Sequence, residues 1–211
     1  MPNRDWDAIT LQPFPRADST LGSDVRRIRQ FIDLAQSNGF NGDTRFYVYA
    51  AFPGPGRDPV EGTFASQWLA PSVDDLSTPT ALSRAYFQNL LGRLNTGDTP
   101  RVEVIPIGET LFDLIELANA GGLGDLREAD FFRDDIHLSL EVGRYAARLT
   151  NYATLFEASV ADFGTPRFLT DDQASAFRSV IDANVAQVIP EPTSLAGAGV
   201  LVVLGLRRRV A

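Results

Sequence analysis

Phe131-Phe132-Arg133-Asp134-Asp135-Ile136-His137-Leu138-Ser139, followed four residues later by Gly143-Arg144-Tyr145, stands just ahead of a long helical pattern over residues 142–156. It contains the only histidine of the chain, His137, three residues after Asp134. A neutral imidazole can take a proton from a hydroxyl near neutral pH, and a carboxylate on the same tight loop can fix its tautomer and stabilise the imidazolium that forms. Asp134 as orienter and His137 as general base are therefore two parts of a nucleophile-base-orienter triad. The plainer reading of the same residues is that Asp134 or Asp135 caps the helix and His137 is a partly buried packing residue.

Working outward, the chain alternates between strand and helix patterns. Residues 8–11 form a short strand, and residues 24–37 place Val25, Ile28, Phe31, Ile32, Leu34 and Ala35 at helical spacing before Asn38-Gly39. Residues 44–51 alternate Phe46, Val48 and Ala50 against Tyr47 and Tyr49, then stop at Pro53-Gly54-Pro55-Gly56. Residues 57–79 carry Trp68 but no sustained period; helix over 81–94, strand over 102–107 and helix over 110–120 follow. Such alternation predicts α/β architecture with three layers, a parallel sheet between helices on both faces. Sites in these sheets lie beyond the carboxyl ends of the strands, where Gln12, the turn from Pro53 and the Asp134 loop are expected to converge.

Asp134-Asp135-Ile136-His137-Leu138-Ser139 with Gly143-Arg144-Tyr145 resembles the block that closes the SGNH (GDSL-like) hydrolase domain. Asp5-Trp6-Asp7-Ala8-Ile9-Thr10-Leu11-Gln12-Pro13-Phe14 resembles a strand-then-loop of the same fold, and Val102-Glu103-Val104-Ile105-Pro106-Ile107-Gly108 is similar to the strand before its final catalytic loop. The resemblance spans residues 5–157 and implies a serine esterase in which Asp134 and His137 are triad members. It also implies a serine in a Gly-Asp-Ser type motif at the end of a first strand, and no such motif occurs here. Gly22-Ser23-Asp24 is the nearest imitation, but it follows the strand and opens a helix, so Ser23 reads as an N-cap rather than a nucleophile. Gln12 is the candidate oxyanion donor in place of the family's asparagine; the alternative is that it satisfies backbone groups at a strand end.

At the other end, Pro190-Glu191-Pro192-Thr193-Ser194 precedes an apolar run over residues 195–206 and then Arg207-Arg208-Arg209. This three-part pattern resembles the PEP-CTERM sorting signal, which implies an exosortase-type processing enzyme as partner and export to the cell surface or medium. The run is shorter than the roughly 20 residues of a comfortable membrane span, as suits a transient inner-membrane anchor with its arginines on the cytoplasmic side. A signal peptide is expected with such a tail, yet residues 1–7 contain no apolar stretch. The missing leader and the missing nucleophile motif together suggest an N-terminally truncated version of a longer protein; a degenerate, non-catalytic relative is the alternative.

Composition sets the remaining bounds. Without cysteine, disulfides, thiolate chemistry and cysteine-based metal sites are excluded, and no metal-ligand spacing accompanies the single histidine, so neither metal nor cofactor is expected. A net charge of -8 argues against a nucleic-acid partner. Every cation is arginine, which reflects codon usage more than mechanism. The expected organisation is a hydrolase-like domain over residues 1–160, a spacer over 161–189 and the sorting segment over 190–211. In the spacer, Thr170-Asp171-Asp172-Gln173 opens a helix whose apolar stripe either packs on the domain or carries the chain to the processing site. The expected substrate is an ester or an acylated carbohydrate, with Trp68 and Tyr49 as candidate sugar-stacking rings. The competing expectation is a non-catalytic surface or matrix protein on the same scaffold.

Overall fold

The computed structural model describes residues 5–17, 19–37, 39, 41–53, 63–77, 81–97 and 100–187. Pro190, Glu191, Pro192, Arg207, Arg208 and Arg209 lie outside the described residues, as do Gly54, Pro55 and Gly56. Three parallel strands, β1 (Ala8–Leu11), β2 (Arg45–Tyr49) and β3 (Val102–Ile105), form the sheet in the order β1-β2-β3. Ala8 pairs with Arg45, and Phe46 with Val102. Helix α1 (Leu21–Gln36) connects β1 to β2, while α2 (Phe64–Trp68) and α3 (Arg84–Leu94) lie between β2 and β3. Helices α4 (Ile107–Asn119), α5 (Val142–Phe156) and α6 (Asp171–Gln187) complete the chain. Helices α1 and α3 pack together on one face, and α4, α5 and α6 on the other, giving the α/β/α layering.

Alternation along β2 explains how both faces are covered. Phe46 and Val48 point to one layer and Tyr47 to the other, and all three are buried, as a central parallel strand requires. Arg45 lies over the Tyr47 ring and pairs with Glu157, while its other guanidinium nitrogen donates to the Leu155 carbonyl at 3.1 Å, so the far end of α5 is fastened to the start of β2.

Helix α1 starts earlier than its apolar period suggests, and Ser23 is not its cap. Thr20 is the N-cap: its hydroxyl accepts from Ser23 N at 3.1 Å while Ser23 Oγ accepts from Thr20 N at 3.0 Å. Ser23 is thus the reciprocal partner of a capping box, buried in the first turn. Leu21, Val25, Ile28, Ile32 and Ala35 form the buried stripe. Asp24 is also buried, accepting from Arg16 at 2.6 Å and from the Tyr86 hydroxyl at 2.8 Å. Burial and the neighbouring Asp24 charge push the Tyr86 hydroxyl far above the ordinary tyrosine range.

Strand β3 is shorter than expected because Pro106 ends it and Ile107 already begins α4. The aperiodic stretch before α3 contains α2, where Trp68 is fully buried against Phe64 and Phe87. The segment read as a spacer after residue 160 is packed into the same core. Thr170 and Gln173 form the capping box of α6, with Thr170 N donating to Gln173 Oε1 at 2.9 Å and Gln173 N to Thr170 Oγ1 at 3.2 Å. Buried Phe177 stacks on Phe131 at a centroid distance of 5.9 Å, and Asn184 donates to Asp113 on α4 at 2.8 Å. Phe177→Ala is therefore expected to cost about 3–5 kcal/mol of stability, read as a lowered midpoint in urea unfolding. A loss under about 1 kcal/mol would mean that α6 lies outside the cooperative core.

Candidate active site

The Asp134 loop is built from its neck to its tip. A 3-10 turn, Glu128–Phe131, delivers the chain into the neck, where Phe132 and Leu138 form an isolated antiparallel bridge. Arg133 N donates to the His137 carbonyl at 3.0 Å, and Ser139 N to the Phe131 carbonyl at 2.9 Å. Phe132 and Leu138 are buried, which anchors both arms. The Phe132 ring sits 5.7 Å from both Phe52, just after β2, and Phe64 of α2, so the loop stands over the carboxyl end of the sheet. Glu128 accepts from Phe64 N at 3.1 Å and ties the same turn to α2.

At the tip, Asp134 does not cap α5. Its Oδ1 accepts from Ile136 N at 3.1 Å and from His137 N at 2.9 Å, an Asx turn closed by its own side chain. His137 Nδ1 lies 2.8 Å from Oδ1 and 2.9 Å from Oδ2. With the carboxylate as acceptor, Nδ1 carries the proton and Nε2 keeps its lone pair, which is the tautomer a general base needs. The backbone N–H of Ile136, helped by His137, holds the Asp134 carboxyl below the ordinary aspartate range, so it is ionised at neutral pH. Arg133 Nε, 3.4 Å from Oδ2, sets a cation beside the same carboxylate. The His137 side chain is 51% exposed, so the imidazole is not a packing residue and is reachable from solvent.

Two glycines set how closely the chain can close around this loop. At Gly143 a Cβ would land on the Phe131 carbonyl oxygen, so the first turn of α5 can press against the neck only without a side chain. Ser139 Oγ accepts from Gly143 N at 2.9 Å, supplying the cap that the Asp134 side chain does not. At Gly108 a Cβ would meet the Trp68 ring and the Ala51 carbonyl oxygen. Behind that contact, Glu109 accepts from Trp68 Nε1 at 3.0 Å and from Arg84 Nε at 2.8 Å, and pairs with a second Arg84 nitrogen. Trp68 is therefore a structural residue and is not available to stack on a sugar. Tyr49 is half-buried, and burial lifts its hydroxyl to about 12.

The remaining candidates are placed less closely. Gln12 is exposed one residue beyond β1, at the carboxyl end of the strand, and no hydrogen bond joins it to the dyad. Among the described residues no serine or threonine hydroxyl is hydrogen-bonded to His137. A cleft of about 590 Å³ lies at the opposite end of the sheet, lined by Arg101, Glu103, Thr154, Glu157, Asp182 and Val185, away from the dyad. The Arg84–Glu109 pair, which stiffens the first turn of α4, was not foreseen from the sequence, because its members are 25 residues apart in an irregular context. Among the described residues no cluster of side chains is suited to a metal ion, and no helix is long and apolar enough to cross a membrane.

No family model matches the chain, and no curated protein matches it. The crystal structure of a DUF4886 family protein from Bacteroides uniformis is similar with a TM-score of 0.56, covering 92% of this chain and 68% of that one at 15% identity. At that identity the likeness is one of fold.

The tight neck makes Gly143 a sensitive position. Gly143→Ala is expected to cost about 1–3 kcal/mol through overpacking and to displace the Asp134 loop, seen as shifted Ile136 and His137 amide resonances. Unchanged stability and spectra would show that the neck has slack that the structure does not.

Proposed function

We propose that this chain carries the base and orienter of a serine esterase of the SGNH (GDSL-like) hydrolase type, acting on an ester or acylated carbohydrate. The observation that supports the reading is the Asp134–His137 geometry: a carboxylate held by two backbone N–H groups and Nδ1, with Nε2 directed to other use on an exposed loop. The parallel α/β/α fold, with the loop at the carboxyl end of the strands, is compatible with that type.

In the proposed reaction, His137 Nε2 takes the proton of a serine hydroxyl while the serine oxygen attacks the ester carbonyl carbon. The alkoxide of the tetrahedral intermediate is met by amide donors, with Gln12 as the candidate on this chain. Collapse expels the alcohol, which receives its proton from the His137 imidazolium, and water then releases the acid by the same steps. Asp134 stays ionised throughout and offsets the imidazolium charge. The nucleophilic serine is not assigned among the described residues. A surface or matrix protein that keeps the scaffold without the chemistry is the competing reading.

Ester turnover separates the two, with p-nitrophenyl acetate as probe and the protein expressed from the first in-frame start codon of its genomic context. Asp134→Asn is expected to lower kcat by about 10³–10⁴-fold, since the imidazole loses both tautomer control and countercharge. Asp135→Asn is expected to stay within about twofold, because it leaves both of those intact. Turnover that survives His137→Ala, or equal losses at the two aspartates, would overturn the assignment. The 211-residue chain alone is expected to show no turnover above background.

We further propose that residues 190–211 act as a PEP-CTERM sorting signal read by an exosortase-type enzyme, and that the protein is exported. In support, Pro190-Glu191-Pro192 favours an extended, accessible segment, and Arg207, Arg208 and Arg209 suit the cytoplasmic end of a short anchor. Mass spectrometry of the mature C-terminus in an exosortase-bearing host is expected to end near residue 190. Intact extracellular peptides covering residues 206–211 would refute the processing step.

A further inference from the structure

The cleft of about 590 Å³ at the far end of the sheet from the dyad falls within the range of about 300–1,000 Å³ that takes small ligands. Its floor is apolar, formed by Val104 of β3, Ala153 of α5 and Val185 of α6. Its polar lining carries both signs of charge: Arg101 just before β3, Glu103 within it, Glu157 at the end of α5 and Asp182 on α6. Arg45 answers Glu157. Asp182 is held by neutral donors, Ser159 Oγ at 2.6 Å and Val160 N at 2.9 Å. Behind this wall lies Tyr47, the register partner of Glu103, fully buried and with a hydroxyl that makes no well-formed hydrogen bond. Burial first, and then the charges of Glu103 and Glu157, hold that hydroxyl above the ordinary tyrosine range, so it stands near both cleft residues. A buried hydroxyl left in this way is costly unless a ligand or a water meets it.

Beside the cleft, three aromatic side chains are left in solvent. Tyr152 and Phe156 lie about one turn apart on α5, each about 100° round the helix from a cleft residue, Ala153 and Glu157 respectively. Phe163 returns to the same place: its N donates to the Val160 carbonyl at 3.1 Å, and its ring packs 4.9 Å from Tyr152, which is itself 5.0 Å from Phe156. The turn fastened to Asp182 at Ser159 and Val160 thus ends on this cluster, and the cleft and the rings share a border. Phe156, 68% exposed, is the most exposed large apolar side chain among the described residues.

We propose that the cleft and its aromatic border bind a neutral oligosaccharide. The mixed lining selects the class, because an ionic ligand of either sign would meet a like charge, at Arg101 or at Glu103 and Asp182. A sugar hydroxyl both donates and accepts, so one uncharged ligand can serve the carboxylates, Arg101 and the Tyr47 hydroxyl together. The C–H face of a sugar ring suits an exposed aromatic face, and a chain of such rings lets one unit fill the cleft while the next lies on Phe156 and Tyr152. This site is separate from the dyad and does not rest on the esterase reading.

Titration of the isotope-labelled full chain with cellohexaose, maltohexaose and laminarihexaose, followed by amide resonances, tests it. At least one of the three is expected to bind saturably with a Kd of about 1 mM or tighter, shifting residues 152–163 and 182–186. Phe156→Ala and Glu103→Gln are each expected to raise that Kd about tenfold, through loss of a stacking face and of a charged acceptor. His137→Ala is expected to leave binding unchanged, so failure of the esterase reading and failure of this one are told apart. Circular dichroism checks that each variant is folded. Absence of a saturable shift with all three sugars, or binding that survives both Phe156→Ala and Glu103→Gln, would overturn the proposal. Tighter binding of the anionic hexagalacturonate or the cationic hexaglucosamine would overturn the selection for a neutral ligand.

Discussion

Phe131 is where the separate parts of this molecule are joined. Its carbonyl accepts from Ser139 N to close the neck of the Asp134 loop, and the same oxygen presses on the first turn of α5 at Gly143. Its ring is buried and stacks on Phe177, which holds α6 against the second helical layer. One residue on, Phe132 turns the opposite way to Phe52 and Phe64. The dyad therefore sits on a short loop whose base is fixed by core contacts in both directions. Such anchoring is what lets two exposed side chains keep a defined geometry.

Charge is arranged so that the interior is paired and the site is left exposed. Arg84 and Glu109 neutralise each other beneath the Trp68 ring, and Asp24 is shared between Arg16 and Tyr86 under α1. Partly buried pairs of this kind add little net stability, since desolvation offsets much of their attraction. Asp134 is different: water reaches it, and hydrogen bonds from its own turn fix it in place. A carboxylate so held stays ionised without a buried partner, which suits an orienter that must face a charge appearing only during reaction.

The sequence by itself determined the elements whose signals are local. Alternation at Phe46, Tyr47 and Val48 gave a strand buried on both faces, and spacing at Val25, Ile28 and Ile32 gave an amphipathic helix. The box at Thr170 and Gln173 marked the start of α6, and the spacing of Asp134 and His137 contained their contact, because an Asx turn closes within four residues. Each of these follows from periods and short loops that neighbouring residues set alone.

Tertiary structure decided whatever depends on residues far apart in the chain. Trp68 lay in a stretch without period, and its burial required Glu109, 41 residues on, while Phe64 N found Glu128 across 64 residues. Thr20 displaced Ser23 as the cap because packing carried α1 back to Leu21, and Pro106 ended β3 where Gly108 could fit against Trp68 and Ala51. Whether α6 was a spacer or part of the core turned on Phe177 meeting Phe131. Such contacts leave no local trace, because side-chain fit between distant segments is set by the shape of the whole core and not by the order of residues along either one.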